Sequence, residues 1–78
     1  MHLTLADAGI GRRLRIASLE VERDAEAWLA AVGLYAGEEV VVLRGAAFGG
    51  PLHVRTSCGG ELAVGREVAS KIRVTEEP

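Results

Sequence analysis

The chain has 78 residues and a net charge of −2, with 49% apolar residues but only 4% aromatic. That length sets one small domain, which buries only about 60% of the surface its unfolded chain exposes, so a large catalytic cleft is excluded and the core has to be aliphatic. One cysteine permits no internal disulfide, the acidic balance argues against a nucleic-acid binder, and no apolar stretch reaches the roughly 20 residues of a membrane helix.

The first residues hold no basic segment followed by an apolar run, so the chain reads as cytoplasmic. Thr4 with Asp7 imitates a capping box, and Gly9 and Gly11 stop whatever starts there, which predicts one helical turn or a compact loop. From Arg12 to Leu19, Leu14, Ile16 and Ser18 alternate with Arg13, Arg15 and Ala17, the period of a half-buried strand. The clearest helix is "DAEAWLAAV", about 24–32, with Asp24 as N-cap. Ala25, Trp28, Leu29 and Val32 are expected on its inner face, and Ala27, Ala30 and Ala31 on a bland outer face that could pack against another backbone. Gly33 sits where a left-handed C′ residue belongs, with Leu34 packing back on Leu29.

Gly37 suits a type II turn before a strand from Glu39 to Arg44, whose continuous apolar run suggests cover on both faces. "GAAFGG" is a flexible link, and Pro51 marks the start of "LHVRT". Parity fixes the next turn. Leu52, Val54 and Thr56 share one face, and Leu62 and Val64 must join it. A three-residue loop, Cys58-Gly59-Gly60, satisfies this by pairing Thr56 with Leu62 and Val54 with Val64. Arg66 to Ser70 gives one helical turn, and Lys71 to Thr75 a last strand with Ile72 and Val74 inward. The domain then spans 1–75, and 76–78 form a frayed acidic tail. Five short strands around one helix leave too little chain for a sandwich, so a small, partly open barrel is the economical fold.

The chemistry-bearing residues do not converge in this reading. His53 points to solvent from mid-strand, Cys58 caps a loop, and His2 lies at the terminus, whereas zinc needs three or four ligands at one point. A site shared between subunits stays open. Cys58 has no base beside it in sequence, the glycines form no phosphate loop, and Glu38/Glu39 and Glu76/Glu77 occupy a turn and a tail. No catalytic residue, metal ligand or cofactor is assigned. Arg12, Arg13 and Arg15 could face a nucleic acid, but scarce aromatics and the acidic balance disfavour it.

Three stretches, "LADAGIGRRLRIASL", "WLAAVGLYAGEEVVVLRGAAFGGPLHVRT" and "ELAVGREVASKIRV", resemble in order and spacing the FeoA family of bacterial ferrous-iron uptake. The matching positions are Leu29, Gly33, Leu34, Gly37, Val40, Val42, Gly50, Pro51, Leu62, Ala63, Ala69, Ile72 and Val74; Ala36 departs where the family often has Pro. The resemblance implies a mostly β protein. Its fold would be a five-stranded SH3-like barrel with one main helix and short helical turns, as in the C-terminal domain of metal-dependent repressors. It implies no catalysis, no cofactor and no membrane insertion, and it allows a weak homo-oligomer. The implied role is accessory, binding the cytoplasmic G-protein-like region of the FeoB transporter; the alternative is a transition-metal chaperone or sensor. SH3-like barrels bind through exposed loops, which nominates Leu34, Tyr35, Phe48 and Pro51, with Ala27, Ala30 and Ala31 as a second surface.

Overall fold

The computed structural model describes residues 3–45 and 47–77. His2 and Pro78 therefore lie outside the described residues. In chain order the elements are β1 (Leu3–Thr4), a 3-10 turn at Leu5–Asp7, β2 (Arg13–Leu19), α1 (Arg23–Ala31), β3 (Glu39–Gly45), a 3-10 turn at Ala47–Gly49, β4 (Leu52–Thr56), β5 (Glu61–Val64), α2 (Arg66–Ala69) and β6 (Ile72–Glu76). The strands make one six-stranded antiparallel sheet in the order β1-β6-β2-β3-β4-β5. Its end strands are β1 and β5, so the sheet is open rather than a closed barrel.

Period two explains how this sheet makes a core. Leu14 and Ile16 of β2, Val40 and Val42 of β3, Leu52 and Val54 of β4, Val64 of β5, and Ile72 and Val74 of β6 are all buried and belong to one cluster. A flat sheet could not bring five strands' inner residues to a single cluster. The nearly equal extents of 29 × 29 × 28 Å agree with a sheet wrapped around its contents. Leu5, Leu29, Leu34 and Ala69, from the turns and helices, complete the core, which contains no aromatic residue.

Several local expectations change. Among the described residues the strands number six, because Leu3 and Thr4 pair with Val74 and Arg73 before the 3-10 turn begins. Thr4 does not cap that turn; its hydroxyl donates to the Asp7 carboxylate at 3.1 Å. In β2 the register slips between Ile16 and Ser18, so Ala17 is an extra residue and Leu19, opposite Ile72, packs on the core. A second slip at Leu43 bends β3, and Val41 and Leu43 on its outer face are half-buried rather than covered. Helix α1 starts one residue early, with Glu22 in the cap position and Asp24 in the first turn. The acidic end is not frayed: Glu76 pairs with Leu14 in the sheet, and the Glu77 amide donates to the Arg13 carbonyl at 2.8 Å.

The β4–β5 hairpin keeps its parity but shifts its loop by one residue. Val54 pairs with Leu62 and Leu52 with Val64. Thr56 N–H donates to the Gly60 carbonyl at 2.9 Å, leaving Ser57-Cys58-Gly59 as the three-residue loop with Gly59 at φ 89°. Either glycine can take the left-handed position. The shifted loop is the one that lets Ser57 and Cys58 reach Glu38.

Candidate docking surface

The sequence holds one Trp, one Tyr and one Phe, and all three lie outside the core. Trp28 is 66% exposed, Tyr35 45% exposed, and Phe48 stands fully clear of the protein. The exposed aromatics are therefore the candidates for contact with another molecule.

Trp28 owes its position to the end of α1. Gly33, at φ 102°, lets the chain turn back, with Leu34 N–H bonded to the Leu29 carbonyl at 2.8 Å and Gly33 N–H to the Ala30 carbonyl at 3.1 Å. These are the two bonds of a Schellman ending, and they bring Leu29 and Leu34 together in the core, as the sequence predicts. With Leu29 pointing inward, Trp28 stands about 100° round the helix from it. The expected inner face is corrected accordingly: Leu29 is the only buried residue of α1, while Ala25, Trp28 and Val32 are exposed.

Beneath Trp28 runs an apolar groove of about 210 Å³ between α1, β5 and α2. It is lined by the buried Leu29, Leu34 and Val64 and by the more exposed Trp28, Leu62 and Val68. Ala63 of β5 and Gly65 after it also line the groove, and β5 is an end strand of the sheet.

The residues nominated from sequence fall into three groups. Ala27, Ala30 and Ala31 are exposed as expected. At about 100° per residue, Ala27 and Ala31 continue the Trp28–Val32 surface, while Ala30 lies on the far side of the helix. Leu34 is corrected, because it is fully buried as a core residue and cannot touch a partner directly. Phe48 and Pro51 are exposed at the β3–β4 connection, apart from the groove lining. Phe48 adopts φ 58°, ψ 37°, the only non-glycine residue with positive φ among those described. Such a conformation costs an L-residue about 1–2 kcal/mol, and no burial of the ring offsets it.

Tyr35 belongs to a polar knot that the sequence reading missed. Glu38 is only 6% exposed, and its Oε1 accepts from Ser57 Oγ at 2.7 Å and Glu39 N–H at 2.8 Å. Its Oε2 faces the Tyr35 hydroxyl at 3.4 Å and Cys58 Sγ at 3.9 Å. The Ser57 hydrogen bond, aided by the Glu39 amide, lowers the Glu38 pKa against the upward push of burial. The Glu38 charge in turn raises the Tyr35 pKa. The knot ties the β4–β5 loop to the turn before β3.

His53 and Cys58 do not meet: His53 Nε2 contacts Glu61 at 3.3 Å, while Cys58 turns to Glu38. Among the described residues no group of three His, Cys, Asp or Glu side chains could hold a metal ion. Arg12 pairs with Glu76 at 2.9 Å, and Arg15 with Glu77 and, at 3.9 Å, Glu39, so these arginines are engaged by acids rather than forming an open basic face. A larger hollow of about 340 Å³ on the outer sheet face is lined by Arg13, Glu39 and Arg55 together with Val41 and is mixed polar and apolar. No helix among the described residues is long and apolar enough to cross a membrane.

The FeoA domain model matches residues 3–76, nearly the whole chain. The chain belongs to the FeoA family. Among solved structures, FeoA from Chlorobium tepidum is 29% identical, with a TM-score of 0.88 over 97% of this chain and 71% of that one. A crystal structure of an iron uptake regulatory protein, FeoA, is 23% identical, with a TM-score of 0.85 over 99% of both chains. A manganese-dependent transcriptional repressor shares the fold at 19% identity and a TM-score of 0.86, over 97% of this chain but 37% of the repressor. No curated protein matches the chain. The family places this SH3-like domain among proteins associated with ferrous iron transport.

Proposed function

We propose that this FeoA protein is a non-catalytic accessory of ferrous iron uptake. In this reading it acts at the cytoplasmic face by docking on the G-protein-like region of a FeoB-type transporter. The observation that carries the reading is the Trp28 groove with its Ala27–Ala31 flank: an apolar surface built on α1, with an exposed tryptophan at its edge. Tryptophan contributes disproportionately to protein–protein affinity when it is desolvated at an interface. Tyr35, Phe48 and Pro51 are further exposed apolar contacts available to the partner.

The test is a calorimetric titration of the protein into the transporter's cytoplasmic domain. Ala31→Arg is expected to leave the fold intact, since Ala31 is exposed, and to weaken binding. Trp28→Ala is expected to weaken it by about tenfold or more. Unchanged affinity in both variants would remove this surface from consideration.

A further inference from the structure

We propose that the Trp28 groove is filled by an extended segment of the docking partner, which adds to the open edge of β5 as a further strand of the sheet. The inference rests on the reading that this groove faces the transporter, and it gives the form of that contact. β5 ends the sheet on one side. Its register decides which backbone groups face outward. Thr56 N–H donates to the Gly60 carbonyl, Val54 pairs with Leu62, and Leu52 pairs with Val64. Along an antiparallel strand, residues alternate between exchanging hydrogen bonds with the neighbouring strand and turning away from it. Gly60, Leu62 and Val64 therefore bond to β4, and the N–H and C=O groups of Glu61 and Ala63 point to the open edge. Among the described residues no hydrogen bond takes any of these four groups. An open edge of this kind is a template for another chain.

The groove runs along that same edge. A hollow over one face of a strand meets alternate residues, whereas this one meets Leu62, Ala63, Val64 and Gly65 in succession. It sets an apolar surface beside a row of alternating N–H and C=O partial charges. Another extended main chain is the complement of that row, with the opposite partial charge at each point, whereas a lipid tail or a lone aromatic ring would leave all four groups unpaired. Cross-strand neighbours share a face, so added residues opposite Leu62 and Val64 turn their side chains into the groove, toward Trp28 and Val68. The segment therefore carries apolar residues at alternate positions. A second copy does not meet this requirement. Its end strands are β1, with two residues, and β5, whose Leu62 and Val64 already pack in their own core. So short an addition falls below the roughly 1,000 Å² of a stable interface. The segment thus belongs to a folded partner whose remaining surface covers the exposed Ala27 and Ala31 beside Trp28.

Amide hydrogen exchange, followed by NMR on the full chain alone and with the transporter's cytoplasmic domain, tests it. In the free protein the Ala63 amide is expected to exchange faster than those of Leu62 and Val64, which bond to β4. With the partner at about ten times its Kd, Ala63 exchange should slow about tenfold. Ala63→Pro removes the outward N–H and no bond to β4, a change that edge strands tolerate. It should weaken binding about fivefold or more. Ala63→Ser keeps the N–H and should bind more tightly than Ala63→Pro. Should Ala63→Pro fail to fold, the exchange pattern of the wild type decides alone. Suppose the partner binds and loses affinity with Trp28→Ala, while Ala63 exchange stays fast and Ala63→Pro binds like the wild type. That result would overturn the strand addition and leave the docking reading standing. Ala63 exchange that slows with rising protein concentration alone would overturn it in favour of a second copy. Binding unmoved by Trp28→Ala, Ala31→Arg and Ala63→Pro alike would remove both readings.

Discussion

Glu38 shows how one residue can fasten two segments. Its carboxylate takes up the Ser57 hydroxyl and the Glu39 amide, and both favour the charged form. A carboxyl group whose folded pKa lies below its unfolded value adds stability at higher pH. That stability is lost as pH falls through the lowered folded value. The acid limb of the stability profile is therefore expected to flatten in Glu38→Gln, which removes the titrating charge. Tyr35 supplies an independent reading. It is the only tyrosine, its hydroxyl faces Glu38 Oε2, and the Glu38 charge raises its pKa. Phenolate absorbance followed through alkaline titration should rise later than for an ordinary tyrosine, and earlier again in Glu38→Gln. A Tyr35 titration unmoved by that substitution would mean the carboxylate is not beside it in solution. Half of this knot was legible in the sequence. Glu38 lies two residues before Val40, so period two turns it inward with Val40 and Val42. Its partners Ser57 and Cys58 are 19 and 20 residues away, and no local pattern names them.

At the scale of elements, the end of α1 and the parity of the β4–β5 pair were legible in the sequence, whereas the caps at Thr4 and Asp24 were misread. The end of α1 is local: a C′ glycine followed by an apolar C″ residue predicts the Schellman bonds without further knowledge. Gly33→Ala should accordingly cost about 1–2 kcal/mol, because alanine is strained at φ 102°. Its Cβ would meet Thr56 Cγ2 at 3.4 Å, an ordinary contact, so the cost lies in the backbone rather than in a clash. Urea unfolding measures it; an unchanged midpoint at unchanged slope would show that the left-handed ending is dispensable. The direction of α1 is not local. Leu29 and the Trp28–Val32 stripe lie within about 100° of each other on the helix, and either could face the core. The packing of Leu34 chooses Leu29. Likewise two adjacent glycines allow two hairpin loops of identical parity, and only the reach to Glu38 separates them. The bulges at Ala17 and Leu43, and the two-residue β1, leave no periodic trace at all.

For the whole molecule, the division between core and surface can be tested on two neighbouring residues. At about 0.05–0.15 kcal/mol per residue, a chain of 78 residues holds only some 4–12 kcal/mol of stability. Leu29 is 4% exposed and joins α1 to a core made of aliphatic residues alone. Its replacement by alanine should cost about 2–4 kcal/mol, a large share of that total, because little else holds the helix down. Trp28, one residue earlier, is the larger side chain but is mostly exposed, and Trp28→Ala should change stability by no more than about 0.5 kcal/mol. Residue size alone would rank the two effects the other way. Paired thermal melts of the two variants decide between these rankings. A Trp28→Ala variant as unstable as Leu29→Ala would make the tryptophan a structural residue and close the groove as a binding surface. A stable one that binds the transporter's cytoplasmic domain more weakly would place the energy of its exposed ring in contacts between molecules.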